Sequence, residues 1–156
     1  MKRIKLVLVG EVKAPHFAQA TRHYLDALER ACKVEHVVCR DGRECKDPAA
    51  RCRKEGQAIL AALGPKDRVI GLDEGGKAYA SKTLAKRLNH WFEDPGRTPC
   101  FVVGGPFGFS PEVVARFDER LSLGPYTLPH ELARVMLLEQ LFRSTCILSG
   151  HPYHHD

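Results

Sequence analysis

FVVGGPFGFSPEVVARFDERLSLGPYTLPHELARVMLLEQLFRSTCILSGHPYHHD, residues Phe101 to Asp156, is the stretch on which the fold turns. It opens on an apolar run, Phe101-Val102-Val103, that breaks into Gly104-Gly105-Pro106 and then Gly108. Such a break reads as a buried strand running into a loop whose glycines allow close approach to the backbone. Ser110-Pro111 follows as a helix start, a capping residue with proline at the first helical position. Leu121 to Leu128 is too broken for a helix and too apolar for a solvated loop. A second proline-started helix is expected from Pro129 to about Ser144, and the chain then ends on His151, Tyr153, His154 and His155.

The same strand-then-helix rhythm runs through the first hundred residues. Ile4 to Gly10 reads as a buried strand, and Pro15 starts an amphipathic helix carrying Phe17, Tyr24, Leu25 and Leu28. Val34 to Cys39 is a second strand by its β-branched content. Asp47-Pro48 opens a helix that Gly64-Pro65 stops. Arg68 to Asp73 is a third strand, followed by a glycine loop at Gly75-Gly76. Ser81 is expected to cap a helix to about Phe92, and Thr98 to Val103 is the next strand. Alternation of this kind argues for an α/β domain with a mainly parallel sheet flanked by helices. In such sheets ligands sit outside the carboxyl ends of the strands. Those ends carry Gly10, Leu72-Asp73 and Gly104-Gly105, joined by the 121–128 segment, so a pocket is expected there.

A chain of 156 residues is expected to be one domain, 1–156, with a sizeable core. Its 44% hydrophobic and 28% charged content is that of an ordinary soluble globular protein. No apolar run approaches the roughly 20 residues of a membrane-spanning helix, and no signal-peptide pattern opens the chain. A cytoplasmic protein is expected, with no membrane partner. None of the six cysteines forms a Cys-x-x-Cys pair, so reduced structural thiols are expected and no metal site is assigned to them. A net charge of +5 and a pI near 9.0 favour a polyanionic partner.

The run GGPFG, then SLGPYTLPHELARVMLLEQLFR, then the terminal HPYHH closely resemble the RlmH (YbeA-like) family of bacterial ribosomal RNA methyltransferases. IKLVLVG, KEGQAILAAL and DRVIGLDEGGKAYAS extend the resemblance through the first two thirds of the chain. It implies a SPOUT-type α/β knot, in which C-terminal segments pass through an earlier loop to make a trefoil. It also implies an S-adenosylmethionine-dependent enzyme that methylates N3 of a pseudouridine in large-subunit (23S) ribosomal RNA, on assembled ribosomes. No metal is implied. A homodimer with sites at the interface is implied as well, and the ribosome is the implied partner.

By the same resemblance, Gly104 lines the cofactor pocket, where a side chain would block the ligand, and Leu72 packs on it. The backbone of Leu123, Gly124, Pro125, Tyr126, Thr127 and Leu128 holds the adenine. Tyr153 and His154 match the family's tail motif, which docks near the methyl donor, with His154 the candidate base. Arg134 is the candidate for holding RNA phosphate or base, or for stabilising charge on the flanking carbonyl oxygens. The family commonly carries arginine where this chain has His155, and neutral imidazole lacks the guanidinium's bidentate fork.

Each motif also has a plainer structural reading. GGPFG could be a tight strand-to-helix turn, 121–128 irregular core, and Arg40 to Lys54 a solvated charged face. The histidine tail could be a disordered end or an adventitious metal binder. Leu132, Val135, Met136, Leu138, Leu141 and Phe142 make a stripe wider than one core face needs, which fits a subunit interface. Two functional alternatives stand beside the enzyme: a non-catalytic RNA- or ribosome-binding module, and a metal-dependent hydrolase built on the terminal histidines.

Overall fold

In the computed structural model, which describes residues 2–156, five parallel strands form one sheet in the order β2-β1-β4-β3-β5. The strands are β1 (Arg3–Val9), β2 (Lys33–Cys39), β3 (Asp67–Ala78), β4 (Thr98–Val103) and β5 (Glu119–Ser122). Helices α1 (Pro15–Ala31), α2 (Pro48–Ala62), α3 (Ser81–Phe92), α4 (Pro111–Val114) and α5 (His130–Ser149) connect or follow them. The mainly parallel α/β sheet flanked by helices is therefore as the sequence indicates, and the implied knot is consistent with this strand order.

The central strands are apolar on both faces, as a sheet covered on both sides requires. Ile4, Leu6 and Leu8 of β1, with Ile70, Phe101 and Val103, pack against Leu28 of α1, Leu88 and Trp91 of α3, and Leu137, Leu138 and Leu141 of α5. The alternate residues Val7, Val9, Val69, Cys100 and Val102 face Ile59 of α2 and Val113 of α4. The period of two along each strand thus sorts the core into two layers. A buried ion pair sits at the amino end of the central strands, where Lys5 Nζ lies 2.8 Å from Asp67 and also donates to the Ala62 carbonyl.

Helix starts follow their caps. Asp47 accepts from the Ala50 amide and Ser110 from the Val113 amide, each ahead of a first-turn proline. Gly150, at φ 76°, ends α5 in the left-handed conformation typical of a helix C-terminus.

Three local expectations differ from the structure. Ser81 is the first residue of α3 rather than its cap, because its hydroxyl donates instead to Gln140 of α5 at 2.7 Å. The glycines Gly75 and Gly76 lie inside β3, not in a loop beyond it. The strand carries a bulge there, so that Leu121 pairs with both Leu72 and Lys77. The irregular segment is also shorter than expected, since Leu121 and Ser122 belong to β5, a four-residue edge strand. Its charged first half, Glu119-Arg120, hides the strand from periodicity: Glu119 accepts from Trp91 Nε1 at 3.3 Å and Arg120 pairs with Asp73.

Candidate active site

At the carboxyl ends of β3 and β4 lies a cleft of about 490 Å³. Its volume falls within the roughly 300–1,000 Å³ of small-molecule sites. Leu72, Val103, Phe109, Leu123 and Leu128 give it apolar walls, with the exposed rings of Phe107 and Tyr126 at its rim. Asp73 and Glu74 supply negative charge, and the β3 bulge is what brings these two carboxylates to the cleft.

The 123–128 segment forms one side, and none of the N–H or C=O groups of 125–128 has a main-chain partner among the described residues. A flat ligand with donors and acceptors on its edge could therefore bond to backbone here. Gly124 adopts φ 125°, which a residue with a side chain would reach only under strain. Its shape is locked by Ser122, whose hydroxyl donates to the Gly124 carbonyl and accepts from its amide.

Of the residues expected to hold the cofactor, Leu72, Gly104, Leu123, Gly124, Tyr126 and Leu128 meet around this cleft. Pro125 and Thr127 lie in the same loop without lining it, and the Thr127 hydroxyl turns to Glu74 at 3.4 Å. Gly104 is constrained from behind: a β-carbon there would stand 2.9 Å from the Phe109 ring, itself a wall of the cleft. These features fit adenosylmethionine, with backbone for an adenine edge, apolar walls for its rings, and carboxylates for its cationic groups.

Helix α2 supports the Gly104–Gly108 loop from below. The Arg51 guanidinium lies over the Phe107 ring at 5.5 Å, and the Cys52 thiol points to the Phe107 carbonyl at 3.4 Å. Glu55, fully buried, accepts from Arg51 and from the Gly42 amide. Nothing in the sequence signals this platform, because its residues look like an ordinary charged helix face.

Arg134 is placed differently from the expectation of a substrate-facing arginine. It is 3% exposed, and its guanidinium donates to the carbonyls of Val9 and Gly10 at 2.9 and 2.8 Å. Arg134 thus closes the end of β1. His130, one turn earlier, does line the cleft.

Tyr153 and His154 are ordered against the other end of α5. The Tyr153 hydroxyl donates to Glu139 at 3.1 Å, and its ring packs on Phe142 and under Arg143. Burial and the neighbouring Glu139 carboxylate push the Tyr153 hydroxyl up to about 12. Arg143 bonds Glu139 and meets His154 Nδ1 at 3.1 Å. Ten to thirteen helical residues separate Arg143 from the cleft wall at Ala133 and His130, about 15–20 Å along the axis. Within one chain, the tail does not reach the cleft. The terminal histidines form no cluster with metal-binding geometry among the described residues.

Comparison with known proteins agrees with this architecture. The chain is 51% identical to the "Ribosomal RNA large subunit methyltransferase H" of Solidesulfovibrio magneticus, covering 99% of this chain and all of that one. It is 47% identical to the protein of the same name from Nitratidesulfovibrio vulgaris, with the same coverage. The fold is shared with a probable methyltransferase from Bordetella pertussis at a TM-score of 0.56 and 12% identity, covering 92% of this chain and 95% of the other. Residues 1–154 match the family described as "Predicted SPOUT methyltransferase", and with a full-length relative at 51% identity the chain belongs to the SPOUT methyltransferases.

Proposed function

We propose that this protein transfers the methyl group of S-adenosylmethionine to N3 of a pseudouridine in 23S ribosomal RNA, on assembled ribosomes and as a homodimer. The observation that carries the reading is the cleft, whose unpaired 125–128 backbone and bulge carboxylates fit that donor. Support for the acceptor comes from the name and full-length similarity of the relatives, and from the net charge of +5.

The cofactor supplies a methyl carbon already activated by a cationic sulfur. The protein's own task is then largely alignment, which can contribute on the order of 7–11 kcal/mol. Leu72, Leu123 and Leu128 exclude water from the donor, and Gly104 to Gly108 with Gly124 to Leu128 fix its orientation. Arg134 acts at one remove, by holding the β1 end beside the cleft.

In a dimer, the tail of one copy would complete the cleft of the other with Tyr153 and His154 at the substrate. The half-buried Leu132, Met136 and Phe142 of α5 supply apolar surface for the pairing.

The test is transfer of labelled methyl from adenosylmethionine to whole ribosomes, isolated large subunits and naked ribosomal RNA from cells lacking this protein. Label at a pseudouridine N3 on whole ribosomes is the expected result. Cofactor binding without transfer would discard this acceptor. Absence of both would leave a non-catalytic RNA-binding module.

A further inference from the structure

A second, smaller cavity of about 240 Å³ adjoins the cleft, and the two share Gly105, Pro106 and His130. We propose that this smaller cavity receives the target nucleobase, and that His130, on the shared wall, accepts the proton the base loses on methylation. The inference rests on the methyltransferase reading above and deepens it.

Size and polarity both point to a base. The cavity is below the roughly 300–1,000 Å³ typical of sites for larger ligands. Lys13, Arg43 and Arg51 offer donors around it, while Glu11, Asp41 and Glu131 offer acceptors. An extruded base is read by such groups along its hydrogen-bonding edge. A base lying there would stand next to the cleft across the wall formed by Gly105, Pro106 and His130.

His130 is suited to take the proton. It is the first residue of α5, where the positive end of the helix dipole disfavours imidazolium. Burial, with Arg134 and Arg51 nearby, holds it below the ordinary imidazole value against the opposing pull of Glu131 and Glu55. Its ring has no hydrogen-bond partner among the described residues.

The other groups facing it are committed or stand elsewhere. Glu131 accepts from the Lys13 and Ala14 amides, Arg134 binds Val9 and Gly10, and Arg51 pairs with Glu55. Asp41 pairs with Arg43, while Glu11 and Lys13 share the smaller cavity with His130 and lie outside the cleft. Across the cleft, Asp73 pairs with Arg120, Glu74 accepts from Thr127, and Tyr126 is 78% exposed.

The step balances without a further reactant. The N3–H bond breaks and its proton moves to the His130 imidazole, while the N3 electron pair forms the new bond to the methyl carbon. The carbon–sulfur bond breaks, the sulfur keeps that pair as a neutral thioether, and the imidazolium returns its proton to water.

His130→Gln and Asp41→Phe, the latter at a residue that lines the smaller cavity but not the cleft, are to be assayed on whole ribosomes beside calorimetry with S-adenosylhomocysteine. For His130→Gln, kcat should fall about 10²–10⁴-fold and the rise of rate with pH should disappear, with homocysteine-product affinity nearly unchanged. Asp41→Phe should abolish transfer and also leave that affinity intact. Transfer by His130→Gln within about fivefold of the wild type, or with the same pH profile, overturns the proton role. Full transfer by Asp41→Phe overturns the base site, and loss of product binding in either variant reduces the effect to cleft structure and overturns it likewise. A wild-type protein that fails to methylate ribosomes would instead defeat the underlying methyltransferase reading.

Discussion

Arg134 looks, in sequence, like an arginine one turn from a histidine beside a pocket, and its burial reverses that impression. Two main-chain carbonyls at the end of β1 depend on it. Replacing it by methionine should orphan both, at about 1–3 kcal/mol for each carbonyl left unsatisfied. Urea unfolding should therefore show a large loss of stability, with Arg134→Lys intermediate because the shorter lysine keeps a charged donor but lacks the planar guanidinium's fixed reach to the two carbonyls. Unchanged stability with weakened ribosome binding would return Arg134 to the substrate. His130 carries a separate consequence for pH. Its pKa in the folded protein lies below the unfolded value of about 6.5, so the unfolded chain binds the extra proton first. Its contribution to stability is thus full above pH 6.5 or so and is lost as pH falls towards the folded pKa. Thermal unfolding across that window should show a shallower decline in His130→Gln.

Among the elements, the bulge in β3 does most to make a site from a sheet. Pairing of Leu121 with both Leu72 and Lys77 pushes residues 73–76 out of the ladder and carries Asp73 and Glu74 to the cleft. Gly76 permits this: a β-carbon there would stand 2.7–2.9 Å from backbone atoms of Arg120 and Leu121. Gly76→Ala should force β5 away from β3, costing about 1–3 kcal/mol in denaturant unfolding. Because β5 leads directly into the 123–128 segment, cofactor affinity should drop with it. Calorimetry with adenosylmethionine measures that loss, and affinity equal to the wild type would show that the loop holds its shape without the bulge.

For the whole molecule, the separation of cleft and tail along α5 is the fact that matters. A site needing both is complete only where two chains meet. Gly104→Val should disable the cleft by driving a side chain into Phe109, and His154→Ala should disable the tail. Each variant alone should be inactive, whereas refolding an equal mixture should restore about a quarter of wild-type transfer per subunit, since only mixed pairs hold one intact cleft facing one intact tail. No restoration would mean that each chain uses its own tail.

The alternation of apolar runs with capped helices determined the α/β class, and composition by itself suited a polyanionic partner. Strand positions were legible because β1 and β4 end in unbroken apolar runs, Leu6 to Val9 and Phe101 to Val103, and caps such as Asp47 and Ser110 act on amides only three residues away. Local rules of this kind need no knowledge of the rest of the chain. The cleft's main walls, Leu72, Gly104 and the 123–128 loop, were also legible, through the strand-end rule and through resemblance. What only the tertiary structure decided depends on contacts between distant residues. β5 exists because Glu119 and Arg120 find partners in α3 and β3, which no periodicity in four residues could announce. Arg134 is interior because β1, 125 residues earlier, ends beneath it with the carbonyls of Val9 and Gly10 to satisfy. The tail lies on Phe142 and Glu139, away from the cleft, because α5 is a continuous 20-residue helix whose length fixes how far apart its two ends must act.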